Sequence, residues 1–304
     1  MKRPKIIVIG SLNMDLVVTM ERMPQMGETI QGQNIHYISG GKGANQAVGC
    51  AKLGADITMI GAVGADLFGQ QIMKQLIEYK VTTDKIAQVD SLPTGTATIL
   101  HTTNDNSIII VSGANSACSV EMLTPYEAEI KQADLLLLQL EIPLPTVLHA
   151  LRIARAHGVK TVLNPAPAQA LSPDFLSLVD ILTPNETEFA LLSGQTYSSE
   201  AELRQGLLLW QKAYQHTVII TRGELGCSYI DPASNELRTI PTASVQVVDT
   251  TGAGDAFNAA LCYGISIGQS LEQAIPFALT AATLSVTKFG AQNGMPTYEE
   301  VINF

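Results

Sequence analysis

Near the end of the chain, Asp249-Thr250-Thr251-Gly252-Ala253-Gly254-Asp255 sets two carboxylates around a run of small residues, and the apolar positions Ala256, Phe257, Ala259, Ala260 and Leu261 follow at once. The pattern predicts a strand end, a tight turn and the first turn of a buried helix. Residues with so little bulk let the backbone come close to a ligand, and glycine takes positive φ without steric cost. The unpaired N–H groups of a first helical turn, aided by the helix dipole, make an anion site there. Asp255 stands beside it. At a helix N-terminus its carboxylate is expected to be ionised at neutral pH, a weak base always ready to take the proton of an attacking alcohol. The chemistry that uses such a pair is phosphoryl transfer, where the moving group needs positioned donors more than covalent help. Taken alone, Asp255 reads more readily as an acidic residue that complements the dipole.

Five other polar clusters follow apolar runs. Ser39-Gly40-Gly41-Lys42-Gly43-Ala44-Asn45-Gln46 is a glycine-rich turn into a helix, with Lys42 and Asn45 near its start. It lacks the glycine spacing and the Ser/Thr of a P-loop, and is either a capped turn or a ligand loop. Asn13-Met14-Asp15 places an amide and a carboxylate one residue apart, which suits vicinal hydroxyls or an Asx turn. In Thr183-Pro184-Asn185-Glu186-Thr187-Glu188, Asn185 and Glu188 share one helical face, as a capping box or as a magnesium site held largely through waters. Asn164-Pro165-Ala166-Pro167-Ala168 and Thr221-Arg222-Gly223-Glu224-Leu225-Gly226 complete the set. Each motif is weak singly; their joint placement at one end of one predicted sheet is not.

The elements that must position them are legible. Apolar runs at 6–9, 57–60, 135–138, 161–163, 181–182 and 218–220 read as buried strands. Helical patterns at 44–53, 69–79, 146–157, 186–192 and 200–214 lie between them. The alternation predicts an α/β fold with a mostly parallel central sheet, whose ligands bind at the carboxyl ends of the strands. Residues 15–38 and 96–112 alternate like half-exposed strands, the second with a hairpin turn at Asn104-Asp105-Asn106, and predict a small antiparallel sheet that serves as a lid or a dimer surface.

The bulk composition narrows the function classes. With 304 residues, 46% hydrophobic and 15% charged, the chain is globular with a substantial interior. A formal charge of −10 without a dense basic cluster argues against a nucleic-acid partner. Cys50, Cys118, Cys227 and Cys262 form no CxxC pair and read as buried reduced thiols, suiting a cytoplasmic protein. The Ile6–Ile9 run behind Lys2, Arg3 and Lys5 is too short for a signal peptide, and no run reaches membrane-span length.

Together, Gly40-Gly41-Lys42-Gly43-Ala44-Asn45 and Asp249–Asp255 resemble the two signature regions of the ribokinase family of carbohydrate kinases, which also includes fructokinases and adenosine kinase. The resemblance runs from about Ile6 to Pro296. It implies a three-layer α/β/α fold, a single domain over 1–304 with the lid formed by about 15–38 and 96–112, and ATP-dependent phosphorylation of D-ribose at its 5-hydroxyl. Asp255 would be the base, with the amides of Gly252, Ala253 and Gly254 as anion hole. Asn13, Asp15, Gly41, Lys42, Gly43, Asn45 and Glu141 would line the ribose site. Asn185, Thr221, Arg222, Gly223, Glu224, Leu225, Gly226 and Gly254 would contact ATP, and Glu188 would place Mg2+. Asp249, Thr251, Ser285, Lys288, Gly290 and Gly294 would hold an activating K+, largely by backbone carbonyls. The lid would form a homodimer. Two positions depart from the family pattern: Gly294 stands where a serine is frequent, and Leu279 where a polar residue is common near the adenine.

The alternatives are a kinase of the same family acting on another sugar or a nucleoside, and a non-catalytic sugar sensor. An aromatic content of 5% speaks against a slot for a nucleoside base. A nicotinamide-dependent oxidoreductase would need Gly-x-Gly-x-x-Gly after the first strand, where this chain has Gly10-Ser11-Leu12-Asn13-Met14-Asp15.

Overall fold

The computed structural model describes residues 3–102 and 106–304. Its strands are β1 (Lys5–Ile9), β2 (Asn13–Thr19), β3 (Asn34–Gly40), β4 (Asp56–Gly64), β5 (Thr82–Val89), β6 (Gly95–His101), β7 (Asn106–Val111), β8 (Leu135–Leu138), β9 (Lys160–Leu163), β10 (Ile181–Leu182), β11 (Thr217–Thr221), β12 (Cys227–Ile230) and β13 (Leu237–Ile240). The main sheet has the order β13-β12-β11-β10-β9-β8-β1-β4-β5. It is parallel from β5 through β11, and β12 and β13 add an antiparallel edge.

The apolar runs are strands because both faces of this sheet are covered, so successive side chains enter two different cores. Ile6 and Val8 pack on one face with Val48, Phe257 and Leu261. Ile7 and Ile9 pack on the other with Val147, Leu151 and Phe175. The chain builds outward from β1 through β4 to β5, then returns to lay β8 on the other side of β1. That reversal opens a crevice at the carboxyl ends of β1 and β8, the place where open α/β sheets hold ligands. The Asn13–Asp15 and Glu141 candidates lie just beyond those two strand ends.

The second sheet, β3-β2-β6-β7, occupies the predicted lid region. Its outer pairs are antiparallel, as expected, and its central pair β2–β6 is parallel. The reason is topological: β2 and β6 leave the carboxyl ends of β1 and β5, which themselves run parallel. The predicted turn at Asn104-Asp105 lies outside the described residues. Ile35, Tyr37, Ile108, Ile109, Ile110 and Val111 on the sheet are each 46–57% exposed.

On the first face of the main sheet, the helix Lys42–Lys52 crosses the helix Ala253–Ser266 at close range. A Cβ on Gly49 would lie 2.6 Å from the Cβ of Ala259, and Cys50 Sγ bonds the Ala259 carbonyl at 3.5 Å. This crossing brings the Gly-rich N-terminal turn and the C-terminal Asp255 together. All four cysteines are buried free thiols, and no helix among the described residues is long and apolar enough to cross a membrane.

Candidate active site

Asp255 sits in the first turn of the helix Ala253–Ser266 and is 7% exposed. Gly252 caps that helix at φ 83°, and a Cβ there would stand 2.7 Å from the Cβ of Ala291, so both conformation and space demand glycine. Asp255 Oδ2 accepts from Asn45 Nδ2 and Oδ1 from Gln46 Nε2, each at 2.9 Å. Burial pushes the carboxyl above the usual carboxylate range; Lys42, Asn45 and Gln46 pull it back, and Glu141 adds to the rise. The helix N-terminus favours the charged form, as expected from the sequence, and burial opposes it.

Around Asp255 the anion turn is partly free. Nothing lies within 4 Å of where a Cβ on Gly254 would stand. Ala253 N–H donates to the Thr250 carbonyl at 3.2 Å, so an anion meets that amide already shared.

A cavity of ≈ 650 Å³ opens beside this turn. Thr250, Ala253 and Gly254 line one side, Thr221, Gly223, Glu224 and Gly226 another, and Leu279, Ala282 and Val286 give it an apolar wall. Of the residues expected on the nucleotide, three do not line this cavity: Asn185, Arg222 and Leu225. The Arg222 guanidinium donates to Glu186 at 3.0 Å and to Glu200 at 2.6 Å, facing a separate cavity beside Phe189 and Tyr197. Leu225 is 57% exposed. Free carboxylates flank Arg222 on the neighbouring helices, and they hold it away from the larger cavity.

Asn185 and Glu188 form the capping box: Asn185 Oδ1 accepts from Glu188 N–H at 2.7 Å, and Glu188 Oε2 from Asn185 N–H at 2.8 Å. Glu188 still reaches the centre electrostatically. Burial raises its carboxyl, the Asn185 N–H and Lys42 lower it, and Asp255 raises it further.

A second cavity, ≈ 420 Å³ and more open, is lined by Asn13, Asn115, Glu141, Ile110, Ile142 and Pro167 among others. Glu141 Oε2 accepts from Ser11 Oγ and, at 3.3 Å, from Lys42 N–H, tying the ends of β8 and β1 to the glycine-rich turn. Gly41 caps the helix Lys42–Lys52 at φ 87°, and Gly43 N–H reaches Ser11 Oγ at 3.4 Å. Burial works against the Lys42 charge, but Asp255, Glu141, Glu188 and Asp15 together outweigh it and raise its pKa. Asp15 is pushed up to about 7, by burial first, then by Glu141 and Asp255, against Lys42. Lys42 is thus the cation at the centre of four carboxylates.

Sequence reasoning missed Asn115. Its Nδ2 donates to Asn13 Oδ1 at 2.7 Å and its Oδ1 accepts from Leu12 N–H at 2.9 Å, so it fixes the turn after β1. It also missed Gln46, which stands inside the quoted glycine-rich run; an amide adjacent to Asn45 was the available signal.

The expected potassium residues lie around one loop. Asp249 Oδ1 accepts from Thr251 N–H and Oδ2 from Gly290 N–H, both at 2.9 Å. Ser285 Oγ bonds back to the Ala282 carbonyl, and Lys288 Nζ turns away to Glu300 at 2.8 Å. A Cβ on Gly294 would stand 2.6 Å from the Ser285 carbonyl oxygen, so glycine is what this packing accommodates. The donors left for a cation are backbone carbonyls, a hard-oxygen set suited to potassium. Among the described residues no group of three or more His, Cys, Asp or Glu side chains is arranged to hold a metal.

Known proteins resemble this chain along nearly its whole length. The model of the pfkB family of carbohydrate kinases matches residues 3–298. The ribokinase of Haemophilus influenzae is 41% identical over 303 residues, covering 99% of this chain and 98% of that protein. The ribokinase of Bacillus subtilis is 42% identical over 296 residues, covering 97% of each. The structure of Arabidopsis thaliana ribokinase complexed with ribose and ATP superposes with a TM-score of 0.92 at 32% identity, covering 100% of this chain and 98% of that one.

Proposed function

This chain belongs to the pfkB family of carbohydrate kinases, and from that premise we propose that it transfers the γ-phosphoryl group of ATP to the 5-hydroxyl of D-ribose. The observation that carries the reading is the place of Asp255. Its helix turn walls the larger cavity through Ala253 and Gly254, while Asp15 and Glu141 of the polar side, with Lys42 between, lie within its field. A base at that junction stands between an alcohol and a phosphate.

In this reading Asn13, Asp15, Lys42, Asn45 and Glu141 hold the ring hydroxyls, with the backbone of Gly41 and Gly43 shaping the turn. Asp255 takes the hydroxyl proton as the sugar oxygen bonds to phosphorus. The amides of Gly252, Ala253 and Gly254 receive the charge of the transferring group. ATP lies in the larger cavity against Thr221, Gly223, Glu224 and Gly226, and Leu279 offers the base an apolar face. Asn185 stays beside the phosphates, and Arg222 and Leu225 contribute backbone only. A half-buried carboxylate near the phosphates fits magnesium, which takes few protein ligands, so Glu188 would hold Mg2+ largely through waters. Mg2+ supplies charge neutralisation between the phosphates. Potassium among the carbonyls of Asp249, Thr251, Ser285, Lys288, Gly290 and Gly294 would stiffen the anion turn. The second sheet is the lid and the contact of a homodimer, and the four free thiols suit the cytoplasm.

The test is ATP turnover with a panel of pentoses, hexoses and nucleosides. Ribose is expected to give far the highest kcat/KM. A better hexose or nucleoside would overturn the substrate assignment, and sugar binding without turnover would make the chain a sensor.

A further inference from the structure

Asp255 is held by two chains of side-chain amides, and each chain has only one orientation. On one side the Thr183 carbonyl, which can only accept, takes a bond from Asn164 Nδ2 at 3.3 Å. Asn164 Oδ1 therefore faces inward and accepts from Gln46 Nε2 at 3.1 Å. The same Gln46 nitrogen donates to Asp255 Oδ1 at 2.9 Å, and Gln46 Oε1 accepts from Gln139 Nε2 at 2.6 Å. On the other side Asn45 Nδ2 donates to Asp255 Oδ2, Asn45 Oδ1 accepts from Gln292 Nε2 at 3.2 Å, and Gln292 Oε1 accepts from Gln75 Nε2 at 3.1 Å.

One atom shows how firmly the first chain is fixed. Gln139 Oε1 is buried without a hydrogen-bond partner, pointing at Gly10, where a Cβ would lie 1.9 Å from it. Turning the Gln139 amide would set its oxygen against Gln46 Oε1. The Gln139 orientation thus leaves an acceptor without a protein partner among the described residues and keeps a donor on Gln46 Oε1.

We propose that Gln46, held by Gln139 and Asn164, is a positioning residue that fixes the plane of the Asp255 carboxylate and keeps it unprotonated for proton transfer. The inference rests on the kinase reading above. Gln46 donates to one carboxylate oxygen and Asn45 to the other, so the pair sets the plane of the carboxylate. The charged groups around it are Lys42 on the same helix as Gln46, Glu141 after β8, Asp15 on β2 and Glu188 on the helix Glu186–Ser193. Lys42, the one cation among them, and the two amide donors favour the ionised carboxyl, against burial and the three neighbouring acids.

The experiment compares full-length wild type, Gln46→Met and Gln139→Met by steady-state kinetics with ribose and ATP across pH, with thermal melts to show that each variant is folded. Gln46→Met is expected to lower kcat at neutral pH by ~10-fold or more, the loss of a bond to a charged group. The acid limb of its kcat profile moves up by about one pH unit, while KM for ATP stays within about twofold. Gln139→Met shifts the limb the same way by less, and carries the test if Gln46→Met does not fold. An acid limb that stays in place in the folded variants, or a loss that appears in KM alone, overturns the inference. A wild type without ribose-dependent turnover overturns the kinase reading itself, a result distinct from an active wild type with unmoved profiles.

Discussion

Gly49 meets Ala259 so closely that a Cβ on the glycine would stand 2.6 Å from the alanine Cβ. This contact sets the distance between the helix that carries Asn45 and Gln46 and the helix that carries Asp255. A branched side chain at Gly49 must push the two apart. Gly49→Val is expected to destabilise the chain by about 1–3 kcal/mol, the usual cost of overpacking. It also lowers kcat more than it raises KM for ATP, because the larger cavity's far wall at Thr221–Gly226 lies outside the crossing. Chemical denaturation and steady-state kinetics on one preparation read both effects.

The Asp15 carboxyl has a folded-state pKa of about 7 against an ordinary 3.8. Between those values the folded chain keeps a proton that the unfolded chain has released. The site's contribution to stability is full below pH 3.8 and is lost as pH rises through about 7. Asp15→Asn removes this penalty. The variant is expected to be more stable than wild type at pH 8 by roughly 2–4 kcal/mol, with the difference vanishing towards acid pH. Its ribose affinity falls over the same range. Paired melts across pH check the sign.

In the proposed reading, potassium binds carbonyls that Gly294 packs against. Gly294→Ala places a Cβ 2.6 Å from the Ser285 oxygen and displaces that carbonyl. Wild-type turnover is expected to rise on replacing choline with potassium at constant ionic strength, and the variant's to rise several-fold less. Equal stimulation of both would remove Ser285 from the cation's ligands.

The second sheet exposes Ile108, Ile109, Ile110 and Val111 along β7. Consecutive residues of a strand face opposite sides, so the double variant Ile108→Glu/Ile109→Glu charges both. Sedimentation is expected to show a dimer for wild type and a monomer for the variant. A wild type that sediments as a monomer contradicts the homodimer.

What sequence reading reached follows the physics of burial. β1, β4, β8, β9, β10 and β11 are short apolar runs because both faces are covered, and such runs stand out against their polar strand ends. β5, β12 and β13 were not anticipated: β5 and β13 are edges with exposed positions, and Ser228 interrupts the apolar run of β12. In the site, Asp255, Lys42 and Asp15 stood in recognisable turns, Glu141 came only with the family resemblance, and the structure brings the four together. The amides did not. Gln46 and Gln139 are 93 residues apart and Asn45 and Gln292 are 247 apart, so no local pattern marks them as partners. The direction of the Arg222 side chain was not legible for a related reason, since its ion pairs to Glu186 and Glu200 depend on how two helices pack.

The most direct measurement is the rate of ribose-dependent ADP formation by Asp255→Asn beside its equilibrium affinity for ribose. The variant keeps the shape of the side chain and, with its amide turned suitably, a carbonyl for one of the two donors. It is expected to bind ribose within a few-fold of wild type and to turn over ~10²–10⁴-fold more slowly, the loss of a general base. A variant that turns over at the wild-type rate would contradict the account, because the proton would then have another acceptor.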